Sequence, residues 1–203
     1  MRILILGPPH AGKSTLIRAL DPKATVIENL KKTSPSLSSF DYGTVLWDAT
    51  AGRLYRKDEI DKIDLSNEIW EVILISYSPG STPSVPLRRI LSKGIDGTVI
   101  IIDSSNPSHM VQVLPLYRKK LSELGLFEEG TPLLIIANKQ DLGPVINLKA
   151  VETLLTPNIE VRLLSSLDTS KVIDVMLEFL NRVREHTMKK SAYEELKVSL
   201  AFA

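Results

Sequence analysis

Near its amino terminus the chain reads Gly7-Pro8-Pro9-His10-Ala11-Gly12-Lys13-Ser14, which satisfies the pattern G-x-x-x-x-G-K-[ST]. The motif lies between an apolar run at residues 3–6 and an amphipathic, helix-like stretch at residues 13–20. This strand–loop–helix context separates it from a chance glycine-rich turn. Backbone N–H groups in such a loop point inward, and the start of the helix adds partial positive charge. The motif therefore predicts a loop that cradles a polyphosphate.

Each part of the motif has a predicted role. Lys13 would reach the terminal phosphates, and the Ser14 hydroxyl would ligate Mg²⁺. Pro8 and Pro9 have no N–H to donate, so the cradle rests on the residues after them, with His10 contributing its backbone alone. The candidate phosphate-binding residues are Gly7, His10, Ala11, Gly12, Lys13, Ser14 and Thr15.

Short apolar runs alternate with helix-like stretches along the rest of the chain. The runs are residues 3–6, 44–47, 72–75, 98–102, 133–137 and 159–164, and the helical stretches are 13–20, 87–92, 110–124, 148–155 and 172–186. Most runs are continuously apolar, which is typical of strands buried on both faces of a parallel sheet. The alternation predicts an α/β doubly wound domain with three layers and a mainly parallel, six-stranded sheet.

A second motif, Asn138-Lys139-Gln140-Asp141, directly follows the apolar run at residues 133–137. It matches N-K-x-D at the carboxyl end of a strand, where open α/β sheets bind ligands. The Asp141 carboxylate can accept hydrogen bonds from both N1–H and the exocyclic amino group of guanine. Adenine has neither donor and would leave the charge unpaired. Lys139 can lie over the base, and Asn138 can tie its loop to the phosphate loop.

A third segment, Ser165-Ser166-Leu167, follows the last predicted strand. The small residue there would let the Ser166 backbone N–H approach the carbonyl oxygen of guanine, with Ser165 and Leu167 beside it. Together the three motifs predict a site that selects guanine.

With these motifs in this order, the chain resembles the Ras-like small GTPases, and more narrowly the prokaryotic branch that includes the gliding and polarity GTPases. The resemblance covers roughly residues 1–186 and implies GTP and GDP binding with Mg²⁺, slow hydrolysis of GTP, and two switch loops that sense the γ-phosphate. It also implies a protein effector or regulator as partner.

The second switch departs from the family pattern, which carries D-x-x-G after the third strand. Two segments compete for that place: Asp48-Ala49-Thr50-Ala51-Gly52, with one residue inserted, and Tyr77-Ser78-Pro79-Gly80, in which Tyr replaces Asp. Strand order and a spacing of about 60 residues to Asn138 favour the segment ending in Gly80. Gly80 is then the γ-phosphate sensor, and residues 52–71 are an insertion between the second and third strands. Tyr77 cannot act as a carboxylate, and Ser81 stands where many relatives have a catalytic Gln.

Other groups could compensate for these losses. Arg53 is the candidate arginine finger, and Arg56, Arg88 and Arg89 are alternatives. The family's first-switch Mg²⁺ ligand falls among several hydroxyl groups. We predict Ser38 as the Mg²⁺ ligand beside Ser14, and Ser36 and Thr33 are the alternatives to Ser38.

Composition limits the remaining classes. The chain contains no cysteine, which excludes disulfides, thiolate metal sites and prenylation, and its net charge of +1 gives no field that attracts nucleic acid. No apolar run is long enough to cross a membrane, so we expect a cytoplasmic protein. Residues 187–203 are predicted as a carboxy-terminal tail that docks on the core or on a second subunit of a homodimer, or frays. A pseudo-GTPase without meaningful hydrolysis is the alternative function.

Overall fold

The computed structural model describes residues 1–27, 40–77, 94–106, 119, 131–142 and 160–201. In this part of the chain, eight strands form one sheet. They are β1 (Arg2–Leu6), β2 (Thr25–Ile27), β3 (Phe40–Asp48), β4 (Arg53–Arg56), β5 (Ile69–Tyr77), β6 (Gly97–Asp103), β7 (Leu133–Asn138) and β8 (Glu160–Leu163). The helices are α1 (Lys13–Leu20) and α2 (Thr169–Ala201), with short 3-10 helices at Lys57–Lys62 and Gln140–Leu142. The fold is α/β.

The sheet is mixed and mostly parallel, with the order β2-β3-β5-β1-β6-β7-β8. Strands β5, β1, β6, β7 and β8 are parallel, whereas β3 pairs antiparallel with β2, β4 and β5. The carboxyl ends of the parallel strands therefore meet at one edge of the sheet. Because β3 runs the other way, it contributes its first residues to that same edge.

The central strands are buried on both faces, as their continuously apolar sequences predict. Ile3 and Ile5 of β1 belong to the main core, together with the inner faces of α1 and α2. Leu4 and Ile100, which alternate with the core residues of their strands, are fully or almost fully buried as well. Gly43 allows α1 to approach β3 closely, since a Cβ there would lie 2.9 Å from Ile17 Cγ2.

The prediction of six strands is wrong, because the described residues form a sheet of eight. All six predicted runs are strands, but β2 and β4 were missed. Each has only three or four residues and pairs antiparallel with β3, so neither could show a long apolar run. The predicted insertion at residues 52–71 contains β4, the 3-10 helix and the start of β5. The predicted helices at 87–92 and 148–155, and 110–124 apart from the helical Lys119, lie outside the described residues.

Helix α2 is longer than predicted, since it continues without a break through the expected tail to Ala201. Its earlier part is fixed to the sheet. Arg184 Nε donates to Glu68 Oε1 at 2.7 Å, and the two side chains form an ion pair. Further along, Met188, Tyr193 and Leu196 are exposed. Among the described residues, no helix has both the length and the apolarity that crossing a membrane requires.

Candidate functional site

The phosphate-loop motif joins the end of β1 to the start of α1, as its sequence predicts. Both of its outer glycines are required by close packing. A Cβ on Gly7 would lie 2.3 Å from the carbonyl oxygen of Ile101. Gly12 has a φ of 106°, and a Cβ there would lie 2.2 Å from Asn138 Nδ2. His10 also adopts a positive φ of 63°, which is unusual for a residue with a side chain.

Lys13 folds back over the loop that precedes it. Its Nζ donates to the carbonyl oxygens of Gly7 and Pro8, both at 2.9 Å, and the side chain is largely buried. Burial lowers the pKa of Lys13 to about 8, although the nearby Asp41 carboxylate acts in the opposite direction. The Lys13 ammonium is thus held at the loop by two backbone carbonyl groups, with the Asp41 carboxylate nearby.

Ser14 contacts a residue that the sequence analysis did not select. Its Oγ donates to Asp41 Oδ2 at 2.6 Å, and Ser76 Oγ donates to the same oxygen at 2.8 Å. Asp41 is buried, with 7% of its surface exposed. The alternation of side chains along β3 could have indicated Asp41, because it lies with Gly43 and Val45 on the face that packs against α1. An aspartate on a buried strand face is rare without a specific partner.

Asn138, at the end of β7, connects three loops. Its Nδ2 donates to the Ala11 carbonyl oxygen at 2.7 Å, which confirms the predicted tie to the phosphate loop. Its Oδ1 accepts from Ser166 N at 2.7 Å and from Ser166 Oγ at 2.9 Å. The side chain is almost fully buried, so these bonds satisfy an amide that has little access to water.

The rest of the second motif turns outward from Asn138. Lys139 has a φ of 67°, and its Nζ forms an ion pair with Asp103 Oδ2 at 2.6 Å. Asp141 follows in the 3-10 helix at Gln140–Leu142, and its side chain is exposed. The positive φ at Lys139 directs the chain so that Asp141 borders the same cleft as the phosphate loop.

The three predicted motifs meet in one cleft with a volume of about 280 Å³. Its lining residues are His10, Gly12, Thr15, Asn138, Lys139, Asp141, Leu142, Ser165, Ser166 and Leu167. Leu142 is the one member that the sequence analysis had not selected. The remaining candidates Gly7, Ala11, Lys13 and Ser14 belong to the adjoining loop and the first turn of α1.

One predicted contact in this cleft needs correction. The Ser166 N–H was expected to face the carbonyl oxygen of a base, but it donates to Asn138 Oδ1 instead. The next backbone donor, Leu167 N, makes only a long bond of 3.3 Å to Ser165 Oγ and lies in the same cleft. Of the two backbone donors, Leu167 N is therefore the more weakly engaged.

The structure also removes Arg53 from the catalytic candidates. Arg53 pairs with Asp48 in the sheet, seven residues along β3 from Asp41. At roughly 3.3 Å per residue, this places Arg53 about 23 Å from the phosphate loop, beyond the reach of an arginine side chain. Arg56 lies on the same strand as Arg53, and its guanidinium forms ion pairs with Asp58 and Glu59.

Asp48 and Tyr77, the first residues of the two candidate second-switch segments, lie at opposite ends of the sheet. Asp48 ends β3 far from the phosphate loop, where it accepts from Ala51 N and Asn67 Nδ2, both at 2.8 Å. Tyr77 lies opposite Leu6, directly before the loop. Of the two segments, the one that begins at Tyr77 starts beside the phosphate-loop motif. Gly80 itself, with Thr33, Ser36, Ser38, Arg88 and Arg89, lies outside the described residues.

No model of a known protein family matches the chain, and no curated protein matches it. Any functional assignment therefore rests on the chemistry of the site itself.

Replacing Asn138 with Ala should destabilise the protein. The change leaves the buried Ala11 carbonyl and Ser166 N–H without their partner, at about 1–3 kcal/mol for each unpaired group. We expect the free energy of unfolding, measured by urea denaturation, to fall by about 2–6 kcal/mol. Ser166→Ala removes only the hydroxyl bond and should cost about 1 kcal/mol. Equal losses in the two variants would contradict the bridging role of Asn138.

The lowered pKa of Lys13 should make the stability of the protein depend on pH. Between pH 8 and the ordinary lysine pKa of about 10.5, the unfolded chain binds more protons at this residue than the folded one, so stability rises with pH. Relative to Lys13→Met, the wild-type free energy of unfolding should increase by about 2 kcal/mol between pH 7 and pH 9.5. Denaturation curves at both pH values measure it. A difference that stays constant with pH would show that the Lys13 pKa is not lowered.

Proposed function

We propose that this protein is a guanine-nucleotide-binding switch of the P-loop NTPase class, similar to the Ras-like small GTPases. It binds GTP and GDP with Mg²⁺ and hydrolyses GTP slowly. The observation that carries this proposal is the Asn138 side chain, which joins the phosphate-loop motif and the N-K-x-D motif into one cleft. Each motif alone is a short sequence pattern that could occur by chance. The fold brings the two motifs together at one edge of the sheet, and this proximity is evidence that neither pattern gives alone.

Selection of guanine is assigned to Asp141. Its exposed carboxylate borders the cleft and can accept the two donors that guanine presents at N1 and at its amino group. The Leu167 N–H takes the role first expected of Ser166 and serves the guanine carbonyl oxygen. Lys139 is held beside this position by Asp103, with its aliphatic stem available to cover the base.

The phosphates are assigned to the loop and to Lys13. Polyphosphate oxygens would replace the carbonyl oxygens of Gly7 and Pro8 as acceptors for the Lys13 ammonium, a charge-assisted bond replacing a weaker one. The hydroxyl oxygen of Ser14 suits Mg²⁺, which prefers hard oxygen ligands and is usually shared with substrate phosphates. Bound there, Mg²⁺ would neutralise charge on the phosphates.

Slow hydrolysis follows from the catalytic groups that this chain retains. Lys13 stabilises charge on the phosphoryl oxygens, but position 77 holds Tyr and Arg53 is too distant to act as a finger. These losses also favour the second candidate function, a pseudo-GTPase that binds nucleotide as an interaction module. In both cases we propose a cytoplasmic protein that acts through a protein effector or regulator.

Guanine nucleotides should protect the protein from thermal unfolding when Mg²⁺ is present, whereas ATP should not. Ligand that binds only the folded state raises the melting temperature by mass action. Asp141→Asn should reverse the base preference toward xanthosine diphosphate, because the amide donates to the carbonyl that xanthine carries at C2. Equal protection by ATP and GTP in the wild type would contradict the guanine assignment, and an unchanged preference in Asp141→Asn would remove Asp141 from the base site.

A single-turnover assay separates the switch from the pseudo-GTPase. We expect phosphate release at or below the order of 10⁻⁴ s⁻¹, the rate of an unaided small GTPase. Lys13→Ala provides the matched background, since it lacks the charge that contacts the phosphates. Arg88→Ala and Arg89→Ala then test the arginines that remain candidates. Release no faster than in Lys13→Ala would favour the pseudo-GTPase.

A further inference from the structure

Asp41 lies within hydrogen-bond distance of the phosphate loop, although it comes from a different element of the sheet. It is the second residue of β3, and β3 reaches this edge only because it runs antiparallel to β5. Its Oδ2 accepts from Ser14 at 2.6 Å and from Ser76 at 2.8 Å, and its N–H donates to Ser76 Oγ at 3.1 Å. A buried carboxylate is therefore fixed beside the hydroxyl that the proposed function assigns to Mg²⁺.

The direction of the Ser14 bond suits metal binding. An ionised carboxylate can only accept, so the hydroxyl proton of Ser14 points toward Asp41. The lone pairs of the Ser14 oxygen remain available for a cation, and the adjacent negative charge strengthens that oxygen as a ligand. The second carboxylate oxygen of Asp41, Oδ1, takes no part in the three bonds just described.

Charge at the site leads to the same conclusion. A polyphosphate in the loop would bring several negative charges close to the buried Asp41 carboxylate. Lys13 supplies one positive charge, and its ammonium is close enough to Asp41 for the two to interact. Without another cation, Asp41 would oppose phosphate binding, because like charges repel strongly where water is scarce. A divalent cation between carboxylate and phosphate removes this conflict.

We propose that Asp41 is the metal-shell carboxylate of this protein, holding Mg²⁺ together with Ser14 and the nucleotide phosphates, either directly or through a water molecule. Mg²⁺ sites of this kind use one or two carboxylates and retain several waters. In this role Asp41 replaces the carboxylate missing at position 77 on the neighbouring strand. Ser76 is the positioning residue, since its hydroxyl is bonded to both the backbone and the side chain of Asp41. The inference rests on the proposed nucleotide site.

Asp41→Asn tests the proposal, because the amide keeps the shape and can still accept from both serines. GDP affinity is measured by calorimetry at pH 6.5, with Mg²⁺ and then with EDTA. We expect the tightening of GDP binding by Mg²⁺ to be about 10- to 100-fold smaller in the variant, the usual effect of losing a partner from a metal site. In EDTA the variant should bind GDP as tightly as the wild type or more tightly, since a repulsive charge has gone. If Asp41 had a purely structural role, the variant would instead bind GDP more weakly by the same factor with Mg²⁺ and with EDTA. That result would overturn the proposal.

The chain offers one matched control and a test of the positioning residue. Asp48→Asn removes another buried, hydrogen-bonded carboxylate from β3, at the end far from the loop, and should keep the wild-type response to Mg²⁺. Ser76→Ala tests the positioning role, because it keeps the Asp41 charge but removes both hydrogen bonds between the Ser76 hydroxyl and Asp41. Its response to Mg²⁺ should lie between those of the wild type and Asp41→Asn. Loss of the response in Asp48→Asn, or a loss in Ser76→Ala equal to that in Asp41→Asn, would indicate a structural effect and contradict the proposal.

A measurement on the wild-type chain does not depend on any variant folding. Mn²⁺ replaces Mg²⁺ in the complex with GDP, and aspartate carboxyl carbons are labelled with ¹³C. Electron–nuclear double resonance should then detect a ¹³C coupling from a carboxylate in the metal shell, and its absence would refute the proposal.

The affinity for ADP is measured by calorimetry alongside that for GDP. Binding of ADP but not GDP would refute guanine selection but not the role of Asp41 at the metal. Binding of neither nucleotide would refute both the nucleotide site and the role of Asp41.

Discussion

The candidate site depends on the side chain of Asn138. Its amide is buried where β7 ends, and it bonds Ala11 of one loop and Ser166 of another. Gly12 passes so close to the amide nitrogen that no Cβ could be accommodated there. The path of the phosphate loop and the position of the opposite loop are therefore not independent, because one planar group sets both. This dependence explains why motifs separated by more than a hundred residues form a single cleft.

A second constraint concerns buried charge. Lys13 and Asp41 both lie in the interior near the loop, and isolated buried charges are unfavourable. The structure offsets the cost with backbone carbonyls for the lysine and serine hydroxyls for the aspartate. These hydrogen-bond partners are neutral, and the two opposite charges also interact with each other. In the proposed complex the phosphates would lie beside Lys13 and Mg²⁺ beside Asp41, since either one alone would leave an unfavourable charge next to it.

The sequence predicted the parts of the fold that repeat a strong local pattern. Helix α1 has its predicted limits, and every continuously apolar run is a strand. Strands β2 and β4 could not be found in this way, because short antiparallel strands owe their stability to their pairing with β3 rather than to their own composition. The rejection of Arg53 has the same origin. The sequence places Arg53 in the predicted insertion, and only the pairing with Asp48 shows that it lies at the far end of the sheet.

The case of Asp41 shows why motif reasoning missed a residue so close to the loop. Ligand sites in open α/β sheets are sought at the carboxyl ends of strands, and that rule finds the phosphate loop and Asn138. It cannot find Asp41, because β3 is antiparallel and brings its first residues to the same edge. Two neighbouring strands that run in opposite directions place the end of one beside the start of the other. A carboxylate absent from the end of β5 can thus be supplied from the start of β3 without any change in the sheet, and its position there is determined by pairing, which no local pattern in the sequence records.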